Sequence, residues 1–116
     1  MNRDPAPFLV PAGGGEILDL SAHRLFLKVA PSHSQEGVAL AELEAEFGGG
    51  ERISAQGEDT MFYILDGQFR FEWGTSPAEA RPGDCVFVPA QTPYAWRCTS
   101  ATGGLMLVMR TQKISI

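Results

Sequence analysis

A two-residue alternation of apolar and polar side chains, repeated in short runs that Gly and Pro cut off, most constrains this chain. Tyr94-Ala95-Trp96-Arg97-Cys98 alternates cleanly, and Ile17-Leu18-Asp19-Leu20 and Leu25-Phe26-Leu27-Lys28-Val29 read as strands near the N-terminus. Cys85-Val86-Phe87-Val88 follows the turn Arg81-Pro82-Gly83-Asp84 as a buried strand closed by Pro89, and Leu105-Met106-Leu107-Val108-Met109 follows Gly103-Gly104. The strongest hairpin signal is Met61-Phe62-Tyr63-Ile64-Leu65, then Asp66-Gly67, then Phe69-Arg70-Phe71-Glu72-Trp73. Asp-Gly between two β-rich runs suits a type I′ turn, whose two central residues both need positive φ. With 13 Gly and 8 Pro in 116 residues, the spacing predicts many short strands forming a sandwich or barrel.

A chain of 116 residues predicts one domain spanning 1–116, able to bury roughly two-thirds of its unfolded surface without a staple. Nine Lys and Arg against fourteen Asp and Glu give a net charge of −5. No basic stripe exists to neutralise phosphates, so nucleic-acid binding is not expected, nor is a membrane-surface role. No apolar run approaches the length of a bilayer span, and Met1-Asn2-Arg3-Asp4-Pro5 lacks the hydrophobic stretch of a secretory signal. The expected setting is cytoplasmic, with Cys85 and Cys98 reduced on different strands. The Gly-rich stretches 13–15 and 48–50 lack the strand–loop–helix context of a phosphate loop.

One segment is ambiguous. Val38-Ala39-Leu40-Ala41-Glu42-Leu43-Glu44-Ala45-Glu46-Phe47 is built of strong helix formers, and Leu40, Leu43 and Phe47 share a helical face. Period 2 fits as well, with Ala39, Ala41, Leu43, Ala45 and Phe47 on one side and Glu42, Glu44 and Glu46 on the other.

Glu58-Asp59-Thr60-Met61-Phe62-Tyr63-Ile64-Leu65-Asp66-Gly67 resembles the heart of the first cupin motif, and Pro82-Gly83-Asp84-Cys85-Val86-Phe87-Val88-Pro89 the start of the second. The resemblance covers about residues 36–112, with the motifs at about 50–98 and residues 1–35 left as an arm or edge. It implies an all-β fold, a double-stranded β-helix or jelly-roll cupin barrel, with a pocket at its open end. It also implies a strand, not a helix, over 38–47. Cupins commonly bind one metal through two His and a Glu of the first motif and a His of the second. Here those positions are Ser54, Gln56, Thr60 and Tyr94. A divalent site needs about three strong N, O or S donors, so no metal and no cofactor are expected.

If Thr60 faces the cup, alternation brings Phe62 with it; Tyr94 brings Trp96 and Cys98, and Ser54 brings Arg52 and Gln56. The expected wall is aromatic and polar, suited to a flat or cyclic organic ligand, unless Phe62 and Trp96 simply fill the barrel. Tyr94 is the leading catalytic candidate. Glu42 and Glu44 share a strand face and join it if that face is the inner one; if it is the outer one they are solvated charges. Asp84 reads as a turn residue bonded to nearby backbone, and Glu58 and Asp59 as solvated residues at a strand entrance. Cys98 has no evident activator. His23 reads as a surface histidine and His33 as a solvated loop residue or a lid residue. Three functions follow: a metal-independent enzyme that cyclises, isomerises or dehydrates a small aromatic or cyclic substrate; a non-catalytic small-molecule-binding module or sensor; or a divergent metal cupin with ligands such as His33 with Glu42 or Glu44. A homodimer is expected, paired through a strand near residues 8–10.

Overall fold

The computed structural model describes residues 6–20, 22–31 and 37–112. Ten strands account for the alternation: β1 (Glu16–Leu20), β2 (His23–Val29), β3 (Ala39–Ala45), β4 (Gly50–Ile53), β5 (Glu58–Asp66), β6 (Phe69–Trp73), β7 (Ser76–Ala80), β8 (Cys85–Val88), β9 (Tyr94–Cys98) and β10 (Gly104–Gln112). They form a six-stranded sheet, β1-β2-β3-β10-β5-β8, facing a four-stranded sheet, β4-β9-β6-β7. Every pairing is antiparallel, and no α-helix occurs among the described residues. This is the double-sheet jelly roll.

The ambiguous segment is the strand β3. It lies between β2 and β10, so its backbone groups are paired on both edges, and Ala41, Leu43 and Ala45 go into the core. Helix propensity amounts to tenths of a kcal/mol per residue and yields to that tertiary pairing.

Asp66-Gly67 is a correction. The segment is not a hairpin: β5 pairs with β10 and β8 in the large sheet, while β6 pairs with β9 and β7 in the small one. The pair is therefore the corner where the chain changes sheets. Only Gly67 has positive φ, +80°, and Asp66 does not, so a type I′ turn is excluded. The corner is held instead by the β9–β10 loop: the Gln68 N–H donates to Ser100 Oγ, and the Thr99 N–H to the Gln68 carbonyl at 2.9 Å. A Cβ on Gly67 would run into the Gly103 carbonyl oxygen. The Asp84 carboxylate accepts from the Arg81 N–H at 2.8 Å, closing its own turn as expected.

The core is layered along the strands. Ile64 and Met106 face each other across β5 and β10, as do Cys98 and Phe69 across β9 and β6, and all four are fully buried. The next layer holds Phe62 opposite Val108 and Trp96 opposite Phe71; beyond it Thr60 stands opposite Arg110. Phe62 packs on Phe71 with ring centroids 4.9 Å apart and meets Tyr94 edge-on at 5.9 Å.

Residues 8–10 do not form a strand; the large sheet ends in β1 on one edge, exposed along its whole length, and in β8 on the other. The segment before it is held by Lys28, whose ammonium donates to the carbonyls of Pro11 and Gly14 at 3.1 and 2.9 Å.

Candidate functional site

Strand parity decides which side chains reach the interior. On β9, Tyr94, Trp96 and Cys98 point in, while Ala95 and Arg97 point out. β4 pairs with it so that Ile53 faces Tyr94, Glu51 faces Trp96 and Arg52 faces Ala95. Directly opposed residues share a face, so Glu51 and Ile53 are on the inward-facing side of β4 and Arg52 is not. Ile53 is buried there, while Glu51, nearer the strand's start, has a half-exposed side chain. Arg52 lies in an outer groove with Arg70, Glu72 and Arg97. Ser54 and Gln56 follow β4 as exposed loop residues. These three are corrections to the expected wall, and their cause is a one-residue phase error in a strand only four residues long.

Glu42 and Glu44 are corrected on the same principle. They oppose Leu107 and Leu105 of β10, across from the buried face of β3, and so lie on the outer face of the large sheet. There Glu42 comes within 3.7 Å of the Lys28 ammonium, and Glu44 is opposite Arg24. Cys98 does face inward, but it is sealed in the deepest core layer, with only the Ser100 carbonyl near its sulfur at 4.0 Å. It belongs to the core, not to a ligand wall. Asp59 is not merely solvated: its carboxylate accepts from the Ala90 N–H at 2.8 Å. His33 lies outside the described residues.

Between the β1–β3 flank of the large sheet and strands β4 and β9 is a cavity of about 180 Å³. Leucines and alanines of β1, β2 and β3, continued by Val108 and Phe62 of the same sheet, form one wall, with Trp96 of the other sheet opposite. Two charged residues complete the lining, Glu51 and Arg110. A larger groove, about 480 Å³, opens elsewhere around Arg24, Glu44 and Phe47. It is polar; His23 lines it, while Phe62, Tyr94 and Trp96 do not.

Near the cavity three polar side chains are buried. Thr60, 4% exposed, is the buried polar residue of the core. Tyr94 is 6% exposed, and its hydroxyl makes no hydrogen bond that satisfies normal geometry. Burial pushes the phenol above its ordinary value; the nearby Arg110 guanidinium and Thr60 hydroxyl pull it partly back, and Glu51 raises it. The phenol is therefore neutral across the physiological range and free to donate. His23, expected at the surface, is instead buried edge-on against Trp96, centroids 5.1 Å apart. Its Nε2 has no hydrogen bond and lies 3.5 Å from Glu51 Oε1, a contact that is ionic only when the imidazole is protonated.

Glu51, Arg110 and His23 are thus functional candidates absent from the expected wall. Two of them carry a readable signal. Phasing β4 on Ile53, its one large apolar residue, places Glu51 inside. Continuing Met106, Val108 by two places Arg110 inside.

The usual metal does not suit these residues. Of the four ligand positions, Ser54 and Gln56 are exposed in a loop, and Thr60 and Tyr94 offer a hydroxyl and a neutral phenol beside a guanidinium. That set lacks strong donors and carries a fixed positive charge that repels a cation. No three His, Cys, Asp or Glu side chains converge among the described residues.

The sequence profile of the cupin domain family matches residues 40–110, and the chain belongs to that family. Among curated proteins, none matches the chain by sequence. Similar solved structures include an RmlC-like cupin from Shewanella frigidimarina, 16% identical with a TM-score of 0.79 over 96% of both chains. KdgF from Halomonas sp. is 12% identical with a TM-score of 0.77, over 95% of this chain and 96% of that one. Ectoine synthase from P. lautus is 12% identical, with a TM-score of 0.73 over 85% of this chain and 70% of that one. At these identities the likeness establishes the fold. No helix among the described residues is long and apolar enough to cross a membrane.

Proposed function

We propose that this cupin is a metal-independent acid–base enzyme acting on a small cyclic or aromatic substrate, by isomerisation, dehydration or cyclisation. The observation that carries the reading is a small, largely apolar cavity with one carboxylate, Glu51, at its half-exposed rim and a buried phenol, Tyr94, beside the lining residue Arg110. Glu51 takes a proton from the carbon next to a substrate carbonyl. The C–H electron pair forms a C=C bond to the carbonyl carbon as the C=O π pair moves onto oxygen, and Tyr94, neutral, donates a hydrogen bond to the enolate. Return of the proton to another carbon completes an isomerisation; expulsion of a β-hydroxyl as water completes a dehydration. His23, 3.5 Å from Glu51, orients the carboxylate, and Trp96 and Phe62 supply the surface on which a ring lies. That one structural relative is a synthase is in keeping with catalysis on this fold, though by analogy only.

The test is proton exchange in D₂O, followed by NMR, over a panel of small cyclic and aromatic carbonyl compounds. The native protein is expected to exchange the α-proton of at least one, and Glu51→Gln to slow it by about 10²-fold or more. Exchange that continues unchanged in Glu51→Gln removes Glu51 from the mechanism. A panel that is bound but never exchanged leaves the cup a binding module.

A further inference from the structure

We infer that the cavity recognises a small monocarboxylate, its carboxylate held by Arg110 and its apolar body against Phe62, Val108 and Trp96. This rests on the small-molecule reading above and names the substrate class. Arg110 lines the cavity and is half-buried, yet no carboxylate of the described residues lies within ion-pair distance of it. A partly desolvated guanidinium that no carboxylate of the described residues offsets is costly, and so is a buried hydroxyl without a well-formed hydrogen bond. Here the two stand side by side, with the Thr60 hydroxyl next to both. Of the three only Arg110 lines the cavity; a planar carboxylate there offers two oxygens to the guanidinium fork, with lone pairs directed toward the hydroxyls behind it. Glu51, on β4 across the cavity, opposes a second negative charge, which disfavours a phosphate dianion or a dicarboxylate.

Size narrows the class further. The cavity, about 180 Å³, is below the roughly 300 Å³ at which drug-sized pockets begin. It is close to the apolar cavities of about 150 Å³ that accept benzene. The body is therefore one ring or a short branched chain.

Benzoate is the probe, with benzamide as its neutral isostere, read by Trp96 fluorescence and by calorimetry. The native protein is expected to bind benzoate saturably and at least tenfold more tightly than benzamide. In Arg110→Gln that preference is expected to vanish, and Arg110→Lys to restore part of it. The inference is overturned if benzoate does not bind, if benzamide binds equally well, or if Arg110→Gln keeps the preference. The native comparison stands even if Arg110→Gln does not fold. Binding is measured without turnover, so carboxylate preference with no proton exchange would defeat the enzymatic reading alone.

Discussion

The same strands build two different interiors. At Ile64, Met106, Cys98 and Phe69 the sheets meet with nothing exposed and nothing polar but a thiol. Two steps along β5 and β10, at Thr60 and Arg110, and beside them at Tyr94, the inward positions carry a hydroxyl, a guanidinium and a phenol. Alternation determines which side chains point inward; it does not require them to be apolar. An inward residue that breaks the apolar rule is where the fold gives up packing energy, and here these three are mutual neighbours, with Arg110 lining the cavity. The largest expected effect follows from the sealed end. Phe69→Ala should destabilise the protein by about 3–5 kcal/mol in urea unfolding, through lost transfer energy and the cavity left behind. Thr60→Val, similar in shape and at the polar end, should change stability by less than about 1 kcal/mol. If Thr60→Val were as damaging as Phe69→Ala, the distinction between the two ends would fail.

Tyr94 sharpens the contrast because its packing and its chemistry separate. Removing the hydroxyl in Tyr94→Phe keeps the ring against Phe62 and deletes a group that makes no well-formed hydrogen bond, with only Arg110 and Thr60 beside it. Stability should hold or rise slightly, while proton exchange on a substrate should fall by about 10²-fold. Alkaline pH supplies a second reading. The folded phenol is raised above its unfolded value of about 10, so folding favours the protonated form. That contribution is fully present below pH about 10 and is lost as pH rises through the higher folded value. Unfolding midpoints from pH 8 to 11.5 should therefore fall more steeply for the native protein than for Tyr94→Phe. Parallel curves would mean that the phenol is not desolvated.

Much of this was legible in the chain. The jelly roll followed from period 2 and the Gly-Pro punctuation, together with the cupin-like motifs, and β3 needed those motifs because its residues satisfy two periods at once. The corner at Asp66-Gly67 was not legible, because a local turn signal says nothing about which strand each arm will pair with. In the site, Thr60, Phe62, Tyr94 and Trp96 fell where parity put them, since β5 and β9 are long or sharply alternating. Arg52, Ser54 and Gln56 did not. β4 has four residues and one buried apolar side chain, too few to fix its phase against an assumed ligand pattern. Its true phase brings Glu51 to the cavity instead.

The smallest expected effect tests that exchange of carboxylates. Glu42 and Glu44 are on the outer face of β3, behind the wall that Ala41 and Leu43 present to the cavity. Glu42→Gln weakens only its contact with Lys28, 3.7 Å away and partly solvated, worth at most about 1 kcal/mol. Glu44→Gln removes an exposed charge and should stay within about 0.5 kcal/mol of the native protein. Neither should alter benzoate affinity or proton exchange beyond about twofold, because the β3 backbone and its inward side chains separate them from the ligand. Glu51→Gln, a substitution of identical chemistry at an inward position, is expected to differ from both by about 10²-fold in exchange. Equal effects at Glu42 and Glu51 would mean that the face of the strand is irrelevant to the chemistry, and that the carboxylate assigned to the cavity is the wrong one.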